Sequence, residues 1–275
     1  SGATVATNVI AAARGYRPFL GLANLSQAAD AYLRGFFATI DSGGTVHLFA
    51  GNATKLFKFN AATAALDDVK SSAYTLASDD QWQFVQFGNS VYAASGLSNL
   101  LQKYTLGSSS TFADVSGSPK AKFLAVIRDF VVTAHNNTSS TNNPFRVQWS
   151  QINDADTWTV GSNQADFQDI PDAGNITGLV GGDFGVVLLE RGIARMQYVG
   201  SPLIFTFDMV ETGHGCDIPN SISALAPTQV FYLASDGFFM FNGERSIPIG
   251  AEKVDTFFFD DSSPHHLDRL SCSID

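Results

Sequence analysis

The feature that most constrains this chain is a hairpin that recurs. Gly185–Leu189 is a short apolar run, Glu190–Arg191–Gly192 supplies a tight polar turn, and Ile193–Tyr198 starts a second strand. Val230–Ala234, Ser235–Asp236–Gly237 and Phe238–Phe241 repeat the same arrangement. Short β-prone runs divided by Gly-containing charged turns read as antiparallel hairpins. Followed along the chain, the pattern resolves into five rounds of four short strands. The first is Gly35–Ile40, Val46–Ala50, Lys55–Phe59 and a piece ending Asp67–Val69; the second is Trp82–Phe87, Val91–Ala94, Leu101–Leu106 and Phe112–Val115. The third is Phe123–Ile127, Phe130–Ala134, Phe145–Trp149 and Trp158–Val160. The fourth is Ile176–Val180, Gly185–Leu189, Ile193–Tyr198 and Phe205–Val210, and the fifth Ile222–Leu225, Val230–Ala234, Phe238–Phe241 and Ile247–Ile249.

Aligned on Val46, Val91, Phe130, Val186 and Val230, the second strands recur at spacings of 45, 39, 56 and 44 residues. A four-stranded repeat of about 40–50 residues is the mark of a β-propeller, each round forming one blade. The second strands are apolar on both faces, as strands sandwiched between neighbouring blades must be. A pair of β-sandwiches would not keep the four-beat period. The expected fold is therefore all-β, a β-propeller of four-stranded antiparallel blades with five visible and the start of a sixth at Arg269–Ile274. It occupies residues 34–275 and follows an extended N-terminal arm over 1–33. The sixth round is not completed in this sequence, so the chain is expected either to be cut short or to have its sixth blade finished elsewhere.

Between the rounds the expectations are local. Gly15–Gly21 reads as extended, and Gln27–Leu33 as one or two helical turns. Asn136–Asn143 (NNTSSTNN) holds no apolar residue and reads as a mobile rim loop, because it has no apolar surface to bury against the cost of ordering. Gly107–Ser110 and Ser116–Ser118 read as turns for the same reason. Asn24, Asn52, Asn136, Asn137 and Asn175 head Asn-X-Ser/Thr triplets, here taken as loop composition rather than glycosylation sites.

Composition narrows the function classes. Hydrophobic residues make up 45% and charged residues 15%, enough for a sizeable core and a surface that is polar-neutral or covered by partners. With 16 Lys and Arg against 26 Asp and Glu the net charge is −10, which argues against phosphate-backbone binding as a source of affinity. No apolar run approaches the roughly 20 residues of a membrane span, and the chain opens on no basic-then-apolar signal pattern. Cys216 and Cys272 are too few for a disulfide framework or a zinc cluster and read as isolated thiols.

Catalytic constellations are hard to find. Asp154 and Asp156 in NDADTW lack the oxygen count and the bend glycine of a calcium loop, and read as an Asx-rich turn. Asp166, Asp169, Asp172 and Glu190 could supply the paired carboxylates of a glycosidase, but the sialidase-type Asp box is missing and turn or cap roles fit better. His47, His135, His214, His265 and His266 show no metal-ligand spacing. No P-loop lysine follows Gly181–Gly182, and no nucleophile elbow is present. The chain is expected not to be an enzyme. It nominates no catalytic, cofactor-binding or metal residue, and no cofactor.

Val147–Ile170 (VQWSQINDADTWTVGSNQADFQDI), Gly178–Gly185 (GLVGGDFG), Arg195–Phe205 (RMQYVGSPLIF), Ala234–Phe239 (ASDGFF) and Ile249–Val254 (IGAEKV) form an ordered set. Together with Gly15–Gly21 and Lys120–Asp129 (KAKFLAVIRD), the set resembles the tail hub or nozzle proteins of short-tailed bacteriophages, also described as packaged-DNA stabilisation proteins. The resemblance implies a homo-oligomeric ring, commonly a hexamer, in the virion tail and made in the bacterial host cytoplasm. Its implied partners are the portal and adaptor above it and the fibres, spikes or needle it carries, with DNA passing through unbound and no membrane contact. A carbohydrate-binding or glycan-hydrolysing propeller is the alternative, but it calls for clustered tryptophans and carboxylates on one rim. Only Trp82, Trp149 and Trp158 are available, and the last two read as packing residues. A peptide-scaffold propeller would carry WD or kelch signatures, and neither is present.

Overall fold

The computed structural model describes residues 9–12, 15–18, 24–138, 140–263, 267 and 270–274. A two-stranded hairpin, β1 (Val9–Ala12) and β2 (Gly15–Pro18), precedes five four-stranded antiparallel sheets. Blade 1 is β3 (Phe36–Ile40), β4 (Val46–Gly51), β5 (Leu56–Asn60) and β6 (Ala65–Asp68). Blade 2 is β7 (Gln83–Phe87), β8 (Ser90–Ala94), β9 (Gln102–Thr105) and β10 (Ala113–Asp114). Blade 3 is β11 (Lys120–Ile127), β12 (Phe130–Thr138), β13 (Thr141–Trp149) and β14 (Asp166–Asp169). Blade 4 is β15 (Ile176–Val180), β16 (Gly185–Leu189), β17 (Gly192–Gly200) and β18 (Ile204–Thr212). Blade 5 is β19 (Ser223–Ala226), β20 (Gln229–Ala234), β21 (Gly237–Phe241) and β22 (Ser246–Pro248), followed by a short helix α1 (Asp255–Asp261). Each blade is a simple meander with strands paired in chain order. The whole is a β-propeller, as the four-beat repeat requires.

The two-residue period of a strand explains how the blades are joined. In β8 every residue is buried. Val91 and Ala93 enter a core shared with Phe49 and Leu56 of blade 1, while Tyr92 and Ala94 enter one shared with Leu124 and Val131 of blade 3. In β16, Val187 and Leu189 pack toward Phe130 and Trp149 of blade 3, and Val186 and Leu188 toward Val230 and Tyr232 of blade 5. Alternate residues of one strand thus serve two joints. The first strands, not the second, face the axis, and the second strands lie between blades.

Backbone contacts reinforce three of the joints. Trp82 N donates to Arg34 O at 2.7 Å between blades 1 and 2, and Gly96 N to Ala121 O at 3.0 Å between blades 2 and 3. Between blades 3 and 4, Gly182 N donates to Val126 O at 3.0 Å and Arg128 N to Gly182 O at 2.9 Å. A Cβ on Gly181 would overlap the Val126 carbonyl oxygen, so only glycine lets these two backbones meet. Gly181–Gly182 is a clasp between blades.

Four buried apolar clusters join blades 1–2, 2–3, 3–4 and 4–5, and among the described residues none joins blade 5 to blade 1. The two faces bordering this seam are nonetheless apolar. On blade 1, Phe36, Ile40 and Val46 are 58%, 56% and 60% exposed, on the face opposite to the one that carries Phe37 and Phe49 into the joint with blade 2. On blade 5, Leu225 is exposed and Phe231, Met240 and Ile247 are half-buried, on the face turned away from Val230 and Tyr232. Helix α1 covers one corner of blade 5, where Phe258 packs edge-on to Phe238 at 5.0 Å and Asp255 accepts a bond from Phe238 N.

Several sequence expectations need correcting. Gln27–Leu33 is not helical: Asp30 accepts from Asn52 Nδ2 at 2.8 Å and pairs with Lys55, while Gln27 N bonds Ala64 O, so the segment lies along blade 1. Asn136–Asn143 is not a free loop. Strands β12 and β13 run on through it, pairing Asn136 with Asn143 and Thr138 with Thr141, because a backbone ladder needs no apolar side chains. The fourth strand of blade 3 is Asp166–Asp169, not Trp158–Val160; Trp158 lies in the preceding loop, buried against the core of blades 2 and 3. Leu270–Ile274 forms no strand, and Arg269, His265 and His266 lie outside the described residues.

Candidate functional site

The first strands β3, β7, β11, β15 and β19, with the flanking Tyr32–Arg34 and Ser271–Ser273, line an axial cavity of about 1270 Å³. Its wall is mainly backbone and apolar side chains, and its charged residues are Arg34, Asp79 and Asp80. The Arg34 guanidinium donates to Ala77 O at 2.6 Å.

Adjoining this cavity is a smaller polar pocket of about 240 Å³ to which blades 2 to 5 all contribute. From the approach to blade 2 come Asp79 and Asp80. Asp80 is 6% exposed, and a Cβ on Gly96 would overlap its carboxylate, so that glycine is what admits it. Lys122 of β11 bridges the two aspartates, 3.1 Å from an oxygen of each. Burial works against the Lys122 charge, but the Asp80 carboxylate beside it and the hydrogen bond to Asp79 outweigh it and hold the ammonium above its usual value. The hydrogen bond from Lys122 in turn keeps Asp79 below the ordinary carboxylate range.

His135 stands opposite Lys122 on β12 and has a left-handed backbone, φ 53°. The ladder to β13 breaks between Ala134 and Asn136, beside Pro144, which has no N–H to give. His135 Nδ1 lies 3.2 Å from Ile176 O, and a carbonyl can only accept, so Nδ1 carries the proton. Burial, aided by the Lys122 charge, holds the ring below the usual histidine value. A neutral His135 in this tautomer leaves Nε2 as an acceptor. Thr177 is the extra residue of a bulge in β15, where Ile176 pairs with Leu189 and Gly178 with Leu188. Its hydroxyl is buried and makes no hydrogen bond. Glu190 and Asp217 complete the wall from blade 4 and the approach to blade 5.

The other sequence candidates are dispersed. Asp154 accepts from Asp156 N and Thr157 Oγ1, and Asp156 accepts from Tyr92 OH and Lys103, so the NDADTW segment is an Asx turn tied to blade 2. Asp169 forms a two-bonded pair with Arg146 at 2.7 and 2.8 Å, and Asp166 bonds the amide of Phe167. Neither Asp166, Asp169 nor Asp172 lines the pocket; of that set only Glu190 does. His47 pairs with Asp41, and His214 with Glu211 and Asp236. Trp82, Trp149 and Trp158 are all buried, their indole N–H groups donating to Asn52, Gln164 and Ala155 carbonyls. Cys216 is buried between blades 4 and 5, its thiol pushed up to about 11 by burial, and Cys272 is exposed. Among the described residues, no three His, Cys, Asp or Glu side chains are grouped to hold a metal ion, and no helix is long and apolar enough to cross a membrane.

Sequence reasoning set His135 aside because it tests spacing along the chain. A weak signal was present: in Phe130–Asn136 the apolar alternation stops at His135, next to a proline-bearing partner strand.

No protein-family model matches the chain, and no curated protein matches it. Solved structures do. The extracellular domain of the hybrid two-component system BT4673 from B. thetaiotaomicron is similar at a TM-score of 0.54 and 13% identity, over 82% of this chain and 29% of that one. PorZ, a surface component of the type-IX secretion system of Porphyromonas gingivalis, is similar at 0.50 and 14%, over 89% and 31%. This chain therefore spans about a third of the length of either structure, and at such identities the likeness is one of fold alone.

Proposed function

We propose that this protein is a structural, non-catalytic ring subunit of the tail of a short-tailed bacteriophage. In this reading it is a hub or nozzle component below the portal and adaptor, assembled as a hexamer in the virion and made in the host cytoplasm. It forms part of the DNA path and a platform for fibres, spikes or a needle. The observation that carries the reading is the pair of apolar sheet faces on blades 1 and 5 that the described residues cover only in part, in a chain with only 15% charged residues. Such faces suit burial in an assembly more than exposure to solvent. The segments that carry the family resemblance support it as well: Gly178–Gly185 and Lys120–Asp129 meet at the clasp between blades 3 and 4, a structural joint.

In this reading the DNA path runs through the centre of the ring, between copies. The −10 charge suits a conduit past which a polyanion slides without being caught. All three tryptophans are buried, so none of them offers a stacking platform for sugars, which counts against the carbohydrate-binding alternative.

Particle imaging and mass measurement of the purified protein, alone and mixed with portal and adaptor proteins of a short-tailed phage, test the reading. Closed rings with an open centre wide enough to pass a duplex are expected. A monomer under every condition would overturn it. Duplex binding across a salt series tests the conduit: weak association at all salts is expected, and submicromolar affinity with a steep salt slope would mean that the ring grips DNA.

A further inference from the structure

We propose that the pocket where blades 2 to 5 converge is a binding site for a cation rich in N–H donors, a guanidinium or alkylammonium group. Four carboxyl groups, Asp79, Asp80, Glu190 and Asp217, line it against one ammonium, Lys122, so it carries excess negative charge. The walls also hold acceptors that await donors. Asp80 Oδ1 is 3.1 Å from Lys122 Nζ as an ion pair yet receives no aligned hydrogen bond. Thr177, 5% exposed, has an unpartnered hydroxyl, and His135 offers Nε2. Buried acceptors without donors are costly, and a ligand that supplies several donors at once removes that cost.

The volume of about 240 Å³ suits one small group or one side-chain tip. A planar guanidinium presents five N–H donors in a fixed fork and is less strongly hydrated than an ammonium, which favours it in a half-buried acidic pocket. A neutral sugar would supply hydroxyl donors but leave the charge uncompensated. The site comes from irregular backbone at two places, the left-handed His135 and the bulge at Thr177, in adjacent blades. Breaks in strand pairing re-aim side chains, and here both bring theirs to one pocket. The proposal does not depend on the role in a phage tail.

The test is calorimetric titration of the whole protein at low salt with acetyl-arginine amide and with butylguanidine, against the neutral isosteres acetyl-citrulline amide and butylurea. Saturable binding of at least one cation is expected, with its isostere weaker by roughly tenfold or more. In the double variant Glu190→Gln, Asp217→Asn, affinity should fall by a similar factor. Both positions are at least partly exposed, and each amide keeps an oxygen for the bond now made to Asn175 Nδ2 or Ser235 N, so the fold is retained. An unchanged melting temperature checks this. Butylguanidine binding without acetyl-arginine amide identifies a free small cation as the ligand; binding of both admits an arginine side chain presented by a neighbouring protein. Equal binding of isostere and cation, an unaffected double variant, or no saturation up to about 10 mM would overturn the assignment.

Discussion

The joint between blades 3 and 4 and the seam between blades 5 and 1 are built from the same kind of sheet face but finished differently. At the joint, Phe130, Trp149, Val187 and Phe205 are buried together, and backbone bonds cross through Gly182. At the seam, Phe36, Ile40, Val46 and Leu225 offer comparable apolar area to nothing within the described chain. The difference teaches that apolar alternation marks a strand as a blade face, but does not say whether the opposing face lies in the same molecule.

The largest expected effect breaks the joint. Trp149→Ala removes an indole packed edge-on to Phe205 at 5.0 Å and should cost about 3–5 kcal/mol in denaturant unfolding. A loss below about 1 kcal/mol would mean that the joint does not hold the blades together. Val187→Ala deletes two methyl groups from the same core and should cost about 1–3 kcal/mol with an unchanged m-value. An unmoved midpoint would place Val187 outside the core.

A smaller effect concerns His135. Its folded pKa is depressed by burial, so the unfolded chain binds the proton more readily and stability falls with acidification. The loss should begin near pH 6.5, the ordinary histidine value, and continue down through the depressed folded value. Melting curves of the parent and His135→Gln should converge in slope above that window, and a parent flat between pH 7 and 5 would contradict a buried neutral ring. The smallest effect is expected at the seam. Phe36→Ser with Val46→Ser should change the stability of the isolated subunit by no more than about 0.5 kcal/mol per site, while reducing any self-association seen by sedimentation. A large stability loss would show that the seam is already covered.

The fold was legible because a propeller writes its period into the sequence: Val46, Val91, Phe130, Val186 and Val230 each begin or nearly begin a second strand. Trp158 was misassigned because a buried aromatic in a loop carries the same local signal as one in a strand. The polar pocket was not legible. Asp80, Lys122, Thr177 and Asp217 come from four blades, and whether His135 and Thr177 reach the pocket depends on how partner strands break register, which is a property of two segments and not of one.

The seam also bears on mechanics. A hoop closed all round resists widening, because enlarging its bore strains every joint at once. A split collar yields by small rotations at the remaining joints, resisted here by the backbone bonds that cross three of them. The bore of this molecule is then not fixed by its blades alone but set by whatever is seated in the split. An occupant there would act as a spacer, felt beyond blade 1 along the axial wall at Asp79 and Asp80.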